Sequence, residues 1–271
     1  MINIDFHLHT NKSFDGYNSY NQILKQCILK NIHAVAFTDH DVIKIPQKAY
    51  RLFEKHNINI IPGCEFTTDK GAHIIGLFIE YNKLNLSLDE VVDLVEKQNG
   101  LLYIPHPFKK VSGVFDVYPR NSDSIQKLLL KSSFIELYNG GWDSGKYGSE
   151  IKKISKKYDL RLVAGSDAHK PWQIGYYLNA YNQEDNKDIR ALILQESPKL
   201  LKIKTGKTVV KRSDEKKYFV GLRNSTLIKG VKKMVPFKLR QSFKKIFTYP
   251  KIYFKSLNKT HSKVKYTQLN D

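Results

Sequence analysis

The chain opens MINIDFHLHT, residues 1–10, and the reading of this stretch decides the fold. The run from Ile2 is strand-like, and side chains two positions apart on a strand project from the same face. His7 and His9 therefore stand side by side where the first strand ends. A second stretch of metal-capable residues, GSDAH at 165–169, closes a later apolar run. Two such clusters, each at the end of a strand, raise the question of what lies between them.

Working outward, strand-like runs at 2–9, 33–38, 58–64, 73–79, 101–105, 134–138 and 161–165 alternate with stretches of helical period at 20–30, 45–57, 88–99, 124–131 and 149–158. In the first of these helices Ile23, Leu24, Cys27 and Ile28 fall on one face. SLDE at 87–90 is a capping box opening the third. Strand–helix alternation with continuously apolar strands predicts a parallel sheet, open or closed into a barrel.

The metal-capable residues fall in register with that alternation. Asp15 lies in the loop behind His7 and His9. Asp39 and His40 end the second strand in TDHD, and Glu65 ends the third in PGCEF. His73 starts the fourth in AHIIGL, His106 ends the fifth in PHP, and Asp167 and His169 follow the seventh. In a parallel α/β architecture the carboxyl ends of the strands share one face, where active sites form. Imidazoles and carboxylates are ligands of borderline divalent ions, and a carboxylate can bridge two of them. Gathering so many such groups without a cation would carry a severe desolvation cost. A multinuclear metal centre is the expectation. Asp39 points away from its neighbour His40 and is expected to support the site rather than ligate. Cys64, beside Glu65, reads as a small buried residue rather than a thiolate ligand.

In chain order, HLHT with Asp15, TDHD, PGCEFTT, AHIIGL, PHP and GSDAH resemble the successive motifs of the PHP (polymerase and histidinol phosphatase) superfamily, across roughly residues 1–198. The resemblance implies a distorted (β/α)7 barrel carrying two to three divalent ions (Mn²⁺, Zn²⁺ or Fe²⁺) and hydrolysing phosphoesters. It implies that His7, His9, Glu65 and Asp167 hold a first ion, and that Glu65 bridges to a second completed by His73 and His106. Asp15, His40 and His169 would hold a third. Catalysis would then run through Glu65, Asp167 and His169, with a metal-activated hydroxide attacking phosphorus and His169 able to protonate the leaving group. The substrate expected is a small phosphorylated metabolite or nucleotide. The alternatives are an exonuclease or phosphodiesterase acting on oligonucleotides, and a non-catalytic metal-binding module. Many relatives carry Gly-Arg after the HP of the fifth motif, where this chain reads HPFKK. Lys109 is therefore expected to meet the phosphate as a point charge rather than a bidentate fork. Lys110 and Arg120 in the same loop, and Asn139 at the end of the sixth strand or Trp142 in the loop above the site, are further candidates for substrate contact.

The net charge of +19 is unevenly spread. Residues 199–271 hold 21 Lys and Arg against three acids, so +18 of the +19 falls there and the preceding part is almost neutral. Two parts are expected: a metallophosphoesterase barrel over 1–200 and a basic, partly amphipathic helical extension over 201–271. In VPFKLRQSFKKIF (235–247), Leu239, Phe243, Ile246 and Phe247 form an apolar stripe between lysines and arginines. Such a helix suits an anionic membrane surface, here through 225–256. The same basic and aromatic residues could instead grip a nucleic-acid backbone or pack on a protein. Two cysteines are too few for a disulfide framework. The N-terminus lacks the features of a secretory leader, and no run reaches the roughly 18 apolar residues of a spanning helix. The expected location is cytoplasmic, with the possibility of a peripheral position on the inner membrane face. A chain cut near Leu201 is expected to keep its fold and metals.

Overall fold

The computed structural model describes residues 1–182, 188–203 and 265–269. They belong to one compact unit comprising Met1–Lys204 and Lys265–Asp271, while Thr205–Val264 make a second unit that lies outside the described residues. The stripe at 235–247 and the membrane-facing reading of 225–256 fall in that second unit.

The first strand, β1 (Ile2–Leu8), is buried along its whole length. Helix α1 (Tyr20–Lys30) follows, opened by a capping box between Ser19 and Gln22 and closed by Asn31 in the left-handed conformation. Next come β2 (Ala34–Phe37), α2 (Gln47–Glu54), β3 (Asn59–Thr67) and β4 (His73–Leu77). Helix α3 (Leu88–Lys97) carries the Ser87–Glu90 capping box and buries Leu88, Val91, Val92 and Val95. Then follow β5 (Leu101–Ile104), the single turn α4 (Val114–Val117), α5 (Asp123–Lys131), β6 (Ser132–Asn139), α6 (Gly148–Tyr158) and β7 (Arg161–Gly165). The order ends with β8 (Tyr177–Tyr181), α7 (Ile189–Gln195), β9 (Lys199–Ile203) and β10 (Tyr266–Gln268).

The ten strands of the described residues form one mixed sheet in the order β10-β9-β8-β1-β2-β3-β4-β5-β6-β7. Pairs β1–β2, β2–β3, β5–β6 and β6–β7 are parallel, as the alternation predicts. The parallel expectation fails at β4, which runs antiparallel to both β3 and β5. The connection from β3 to β4 spans only residues 68–72, a hairpin length, whereas a parallel crossover needs a dozen residues or more. This reversal brings the start of β4 to the face where the parallel strands end. Thr67 pairs with His73, two residues from Glu65.

The sheet curls until β7 and β1 meet. Asp167 donates its backbone N–H to the His7 carbonyl (2.7 Å), and His9 donates to that of Ala168 (3.0 Å). Deeper along the same seam, the Asn179 side chain on β8 accepts from Ala164 N–H and donates to the carbonyls of Ala164 and Ile4. One amide thus replaces the missing ladder between the two strands, satisfying backbone groups that burial would otherwise strand. Ile4, Phe6, Ala36, Ile61, Ile75, Tyr103 and Phe134 form one fully buried cluster contributed by six strands. Each of the larger of these side chains contributes on the order of 2 kcal/mol.

Beyond β1 the sheet continues through β8, β9 and β10, each antiparallel to its neighbour. The boundary expected at residue 200 falls inside β9. Chain 205–264 is an insertion between two paired strands, since Tyr266 pairs with Ile203 and Gln268 with Leu201. Among the described residues, no helix is long and apolar enough to cross a membrane.

Candidate metal centre

Nine side chains named from sequence as metal ligands converge at the end of the sheet where β1, β2, β5, β6 and β7 finish and β4 begins. Glu65 is the hub, 1% exposed, and it divides its two oxygens. Oε1 lies 3.0 Å from His73 Nδ1 and 3.0 Å from His106 Nε2. Oε2 lies 3.2 Å from both His7 Nε2 and His9 Nε2. Asp167 Oδ1 adds to the latter pair, 3.6 Å from His7 and 3.3 Å from His9. On the outer side, Asp15 Oδ2 stands 2.9 Å from His169 Nε2 and 3.6 Å from His40 Nε2.

Four overlapping groups have ligand atoms close enough to share an ion: His7–His9–Asp167, His7–Glu65–His106, His40–Glu65–His73 and His9–Asp15–His40–His169. His40 turns Nε2 toward Asp15 and Nδ1 toward Glu65 (3.5 Å), so it borders two of them. The fit to divalent cations rests on donor chemistry. Imidazole nitrogens and carboxylate oxygens meet in the interior, and the buried Nδ1 atoms of His40 and His106 have no hydrogen-bond partner among the described residues.

Electrostatics tighten this reading. Burial, the largest single influence on His9, would hold it low, but the Asp167 and Glu65 carboxylates together raise it to about 9. His40 goes the other way: burial dominates and pushes it down to about 3. Burial works to raise Glu65, yet the imidazoles of His40, His7 and His73 hold its carboxyl well below the usual range. Asp167 is likewise held well below, chiefly by His7 against the opposing effect of burial. The carboxylates are thus ionised and the imidazoles compete for protons, a state that divalent ions resolve by replacing those protons.

The backbone is shaped to aim these groups. His106 and Asp167 both have positive φ, 27° and 47°. Such conformations persist where the surroundings over-determine them, and they cluster at functional sites. Asp39 supports rather than ligates: its carboxylate accepts from the N–H and hydroxyl of Thr10 (2.6 Å each) and from Ser13 N–H, pinning the loop that carries Asp15. Cys64 is a buried free thiol whose burial raises it far above its ordinary value, which agrees with a packing role.

One supporting residue has no role in the motif-level reading. Glu136, fully buried in β6, sits 3.3 Å from His7 Nδ1 and accepts from the backbone N–H of His106 (2.6 Å), from Asn139 Nδ2 (2.8 Å) and from the Tyr103 hydroxyl. It fixes the imidazole of one ligand and the backbone of another, the arrangement that orients metal-binding histidines. Gly165 on β7 makes room for it, because a Cβ there would lie 2.2 Å from Glu136 Oε1. The signal available in sequence is a carboxylate inside an apolar strand, FIEL, where charge is seldom tolerated unpaired.

Among the substrate-contact candidates, Lys109, Arg120 and Asn139 separate. Lys109 reaches the centre, its Nζ 3.5 Å from Asp167 Oδ2. Arg120 pairs with Glu150 and lies over the Phe108 ring (4.9 Å), with no contact to the ligand groups among the described residues. Asn139 is buried, with Nδ2 given to Glu136 and Oδ1 accepting from Gly141 N–H. Its amide is committed to holding the site together. Arg120 thus stands at an ion pair away from the ligand groups, and the Asn139 amide is engaged in supporting Glu136 and the following turn.

Comparison with known proteins agrees with this geometry. Residues 5–195 match the PHP domain family. An uncharacterized protein of Methanocaldococcus jannaschii is 32% identical over 223 residues, covering 79% of this chain and 84% of its own. A probable phosphatase of Thermoanaerobacter is 24% identical over 217 residues, covering 69% and 86%. Among solved structures, a two-domain protein from Bacteroides vulgatus containing a predicted PHP-like metal-dependent phosphoesterase shares the fold at a TM-score of 0.58. It is 18% identical and covers 78% of this chain and 72% of that one. The lesion-specific endonuclease Q of Pyrococcus furiosus shares it at 0.56 and 18% identity, covering 73% and 57%. The chain belongs to the PHP domain family of metal-dependent phosphoesterases.

Proposed function

We propose that the chain is a phosphatase that hydrolyses a small phosphorylated metabolite or nucleotide at a site of up to three divalent ions. The observation that carries this reading is the divided carboxylate of Glu65, one oxygen facing His73 and His106 and the other facing His7 and His9. Divalent ions bound there supply an activated water and neutralise phosphoryl oxygens. His7, His9, Glu65 and Asp167 would form the first ligand set, Glu65, His73 and His106 the second, and Asp15, His40 and His169 the third.

The chain's own residues supply the rest. Lys109 Nζ, half-exposed beside Asp167, presents a positive charge at the rim where a phosphate would enter. Glu136 and Asp39 hold imidazoles and loop in place, so that little reorganisation accompanies turnover. His169, a quarter exposed, engages Asp15 through Nε2 and the Asp167 carbonyl through Nδ1, and would give a proton to a departing alkoxide only where Nε2 is not committed to the third ion. Cleavage of phosphodiesters in nucleic acid is the second reading, supported by the concentration of basic residues after residue 198.

The test is turnover of a panel of phosphomonoesters, nucleotides and short oligonucleotides by full-length protein loaded with Mn²⁺. The expected result is hydrolysis of monoesters that a chelator abolishes and that Glu65→Gln reduces by about 10³-fold or more. Full activity in Glu65→Gln, or activity untouched by chelation, would overturn the proposal. Preference for oligonucleotides over every monoester would move the second reading to first place.

A further inference from the structure

Beside the metal centre lies a cavity of about 420 Å³ whose lining differs in kind from the ligand cluster. It is walled mainly by rings and lysines rather than imidazoles. Tyr138 and Tyr177 both line it and stack on each other, with centroids 5.8 Å apart and planes 15° from parallel. Half-buried Trp142 forms another side, and Lys152 and Lys202 reach it from α6 and β9. Lys202 Nζ sits 5.5 Å above the Tyr177 ring. With Lys152 and Lys202 against the single carboxylate of Asp143, which accepts from Gly145 N–H, the charged lining side chains sum to a net positive charge. The first turn of α6, which no side chain caps, also lines it and adds the positive end of a helix dipole.

The cavity and the metal centre share a wall one loop thick. Asn139 lines the cavity while its amide holds Glu136. Past it, a Cβ on Gly140 would lie 2.1 Å from the Ser166 carbonyl, and one on Gly141 would lie 2.5 Å from Asp167 Oδ2. The two glycines let the backbone at 140–141 run directly against Ser166 and Asp167.

We propose that this cavity is the leaving-group subsite, and that it selects phosphoesters whose organic part is a planar ring bearing a second anionic group. The inference rests on the phosphoesterase reading above and extends it to substrate class. With the scissile phosphate at the centre near Lys109, the ester oxygen crosses the Gly140–Gly141 strip and the ring meets Trp142, Tyr138 and Tyr177. Stacking of a ring on such faces is favourable without demanding one particular ring. The second anion meets Lys152, Lys202 and the α6 terminus. Hydrolysis breaks the bond between phosphorus and the ester oxygen, water supplies the new oxygen, and the leaving alkoxide or phenoxide takes a proton.

The experiment compares kcat/KM of the Mn²⁺-loaded full chain for ethyl phosphate, phenyl phosphate and 4-carboxyphenyl phosphate. Phenyl should exceed ethyl phosphate by more than leaving-group acidity alone predicts, and Trp142→Ala should shrink that ratio about tenfold. Lys152→Gln should lower the ratio of 4-carboxyphenyl to phenyl phosphate about tenfold, and Lys152→Arg should restore it. Independently, 4-carboxyphenyl phosphate should quench Trp142 fluorescence in a metal-free Trp172→Phe background. Turnover with unchanged ratios in both variants, or a quench that Lys152→Gln leaves intact, overturns the subsite. Absence of turnover on all three esters, with a Lys152-dependent quench, overturns the phosphoesterase reading and leaves the pocket standing.

Discussion

The two ends of the sheet order were built under different rules. From β1 to β7 every strand brings a metal-capable group or its support to one face, most of them announced by His, Asp or Glu at the end of an apolar run, with His73 at the start of β4 and Glu136 inside β6 the exceptions. From β8 to β10 the strands bring no ligand. They close the cavity and tie down β1, and β10 is donated by residues separated from β9 by an insertion of basic chain. Chemistry concentrates where local sequence is most telling. Stability at the opposite edge depends on a pairing that no local pattern announces.

The largest effect that would break or sharpen this contrast comes from the end of the chain. Stopping after Lys204 deletes β10, Tyr266 and Leu269, which donates its N–H to the Leu200 carbonyl at 2.8 Å. The expected loss is about 2–4 kcal/mol, read by denaturant unfolding, from lost ladder bonds and exposed apolar surface. Because Ile203 pairs with Tyr266, the residues that follow the one and precede the other can be linked by a short hairpin turn. Joining them through Asn-Gly with 205–264 removed should hold stability near that of the full chain. If the truncation proves as stable as the joined form, β10 is dispensable and the contrast collapses.

On the ligand side the next effect is Glu136→Gln. It keeps volume but removes the charge facing His7 Nδ1, and losses of 10–100-fold in metal affinity or turnover are typical for such supports. Metal titration followed by activity at saturating metal separates affinity from rate. An unchanged enzyme would confine function to the nine ligand groups.

These two residues also show where the sequence was legible. Six motifs at strand ends placed all nine metal-capable groups correctly at one face, because a polar residue closing an apolar run has few reasons to be there. Glu136 was visible as a strand residue but not as a support, since its partners lie at positions 7, 103, 106 and 139 and meet only in three dimensions. The reversal of β4 was in principle readable from the short TDKGA connection, yet continuous apolar strands argue for parallel pairing by default. Strand β8 hides in YYLNAY, where Asn179 reads as a turn former but serves as the seam's substitute backbone. Strand β10 lies in lysine-rich sequence whose composition masks three pairing residues.

A smaller effect concerns the buried group beneath the same edge. Lys30 is 7% exposed, and its Nζ donates to the carbonyls of Trp172 (3.3 Å) and Ile174 in the stretch after His169. Burial holds it down at about 8, opposed by Asp5 and Cys27. The folded value lies below the unfolded one near 10.5, so the unfolded chain binds more protons between about pH 8 and 10.5. Lys30 therefore costs stability at pH 7, and that cost is relieved as pH rises through this window. Relative to Lys30→Met, the wild type should gain about 1 kcal/mol between pH 7 and pH 9. A flat difference across that range would mean the ammonium is better solvated than its burial indicates.

The smallest expected effect isolates what β10 contributes beyond backbone pairing. Tyr266 sends its hydroxyl to the Gly175 carbonyl at 3.3 Å, and the Gly175 N–H in turn donates to Asp5 Oδ2 at 2.8 Å. Asp5 Oδ1 accepts from Ser166 N–H, one residue before Asp167. The C-terminal strand is thus joined through two backbone groups and one carboxylate to the loop that carries a metal ligand. Tyr266→Phe removes one neutral hydrogen bond and leaves the ring in place, so the expected cost is about 0.5–1.5 kcal/mol. If the edge serves stability alone, metal affinity and turnover stay at the wild-type level while the unfolding midpoint drops. A fall in metal affinity of tenfold or more from this hydroxyl would show instead that the closing edge helps set the geometry of Asp167, and the division between the two ends of the sheet would have to be redrawn.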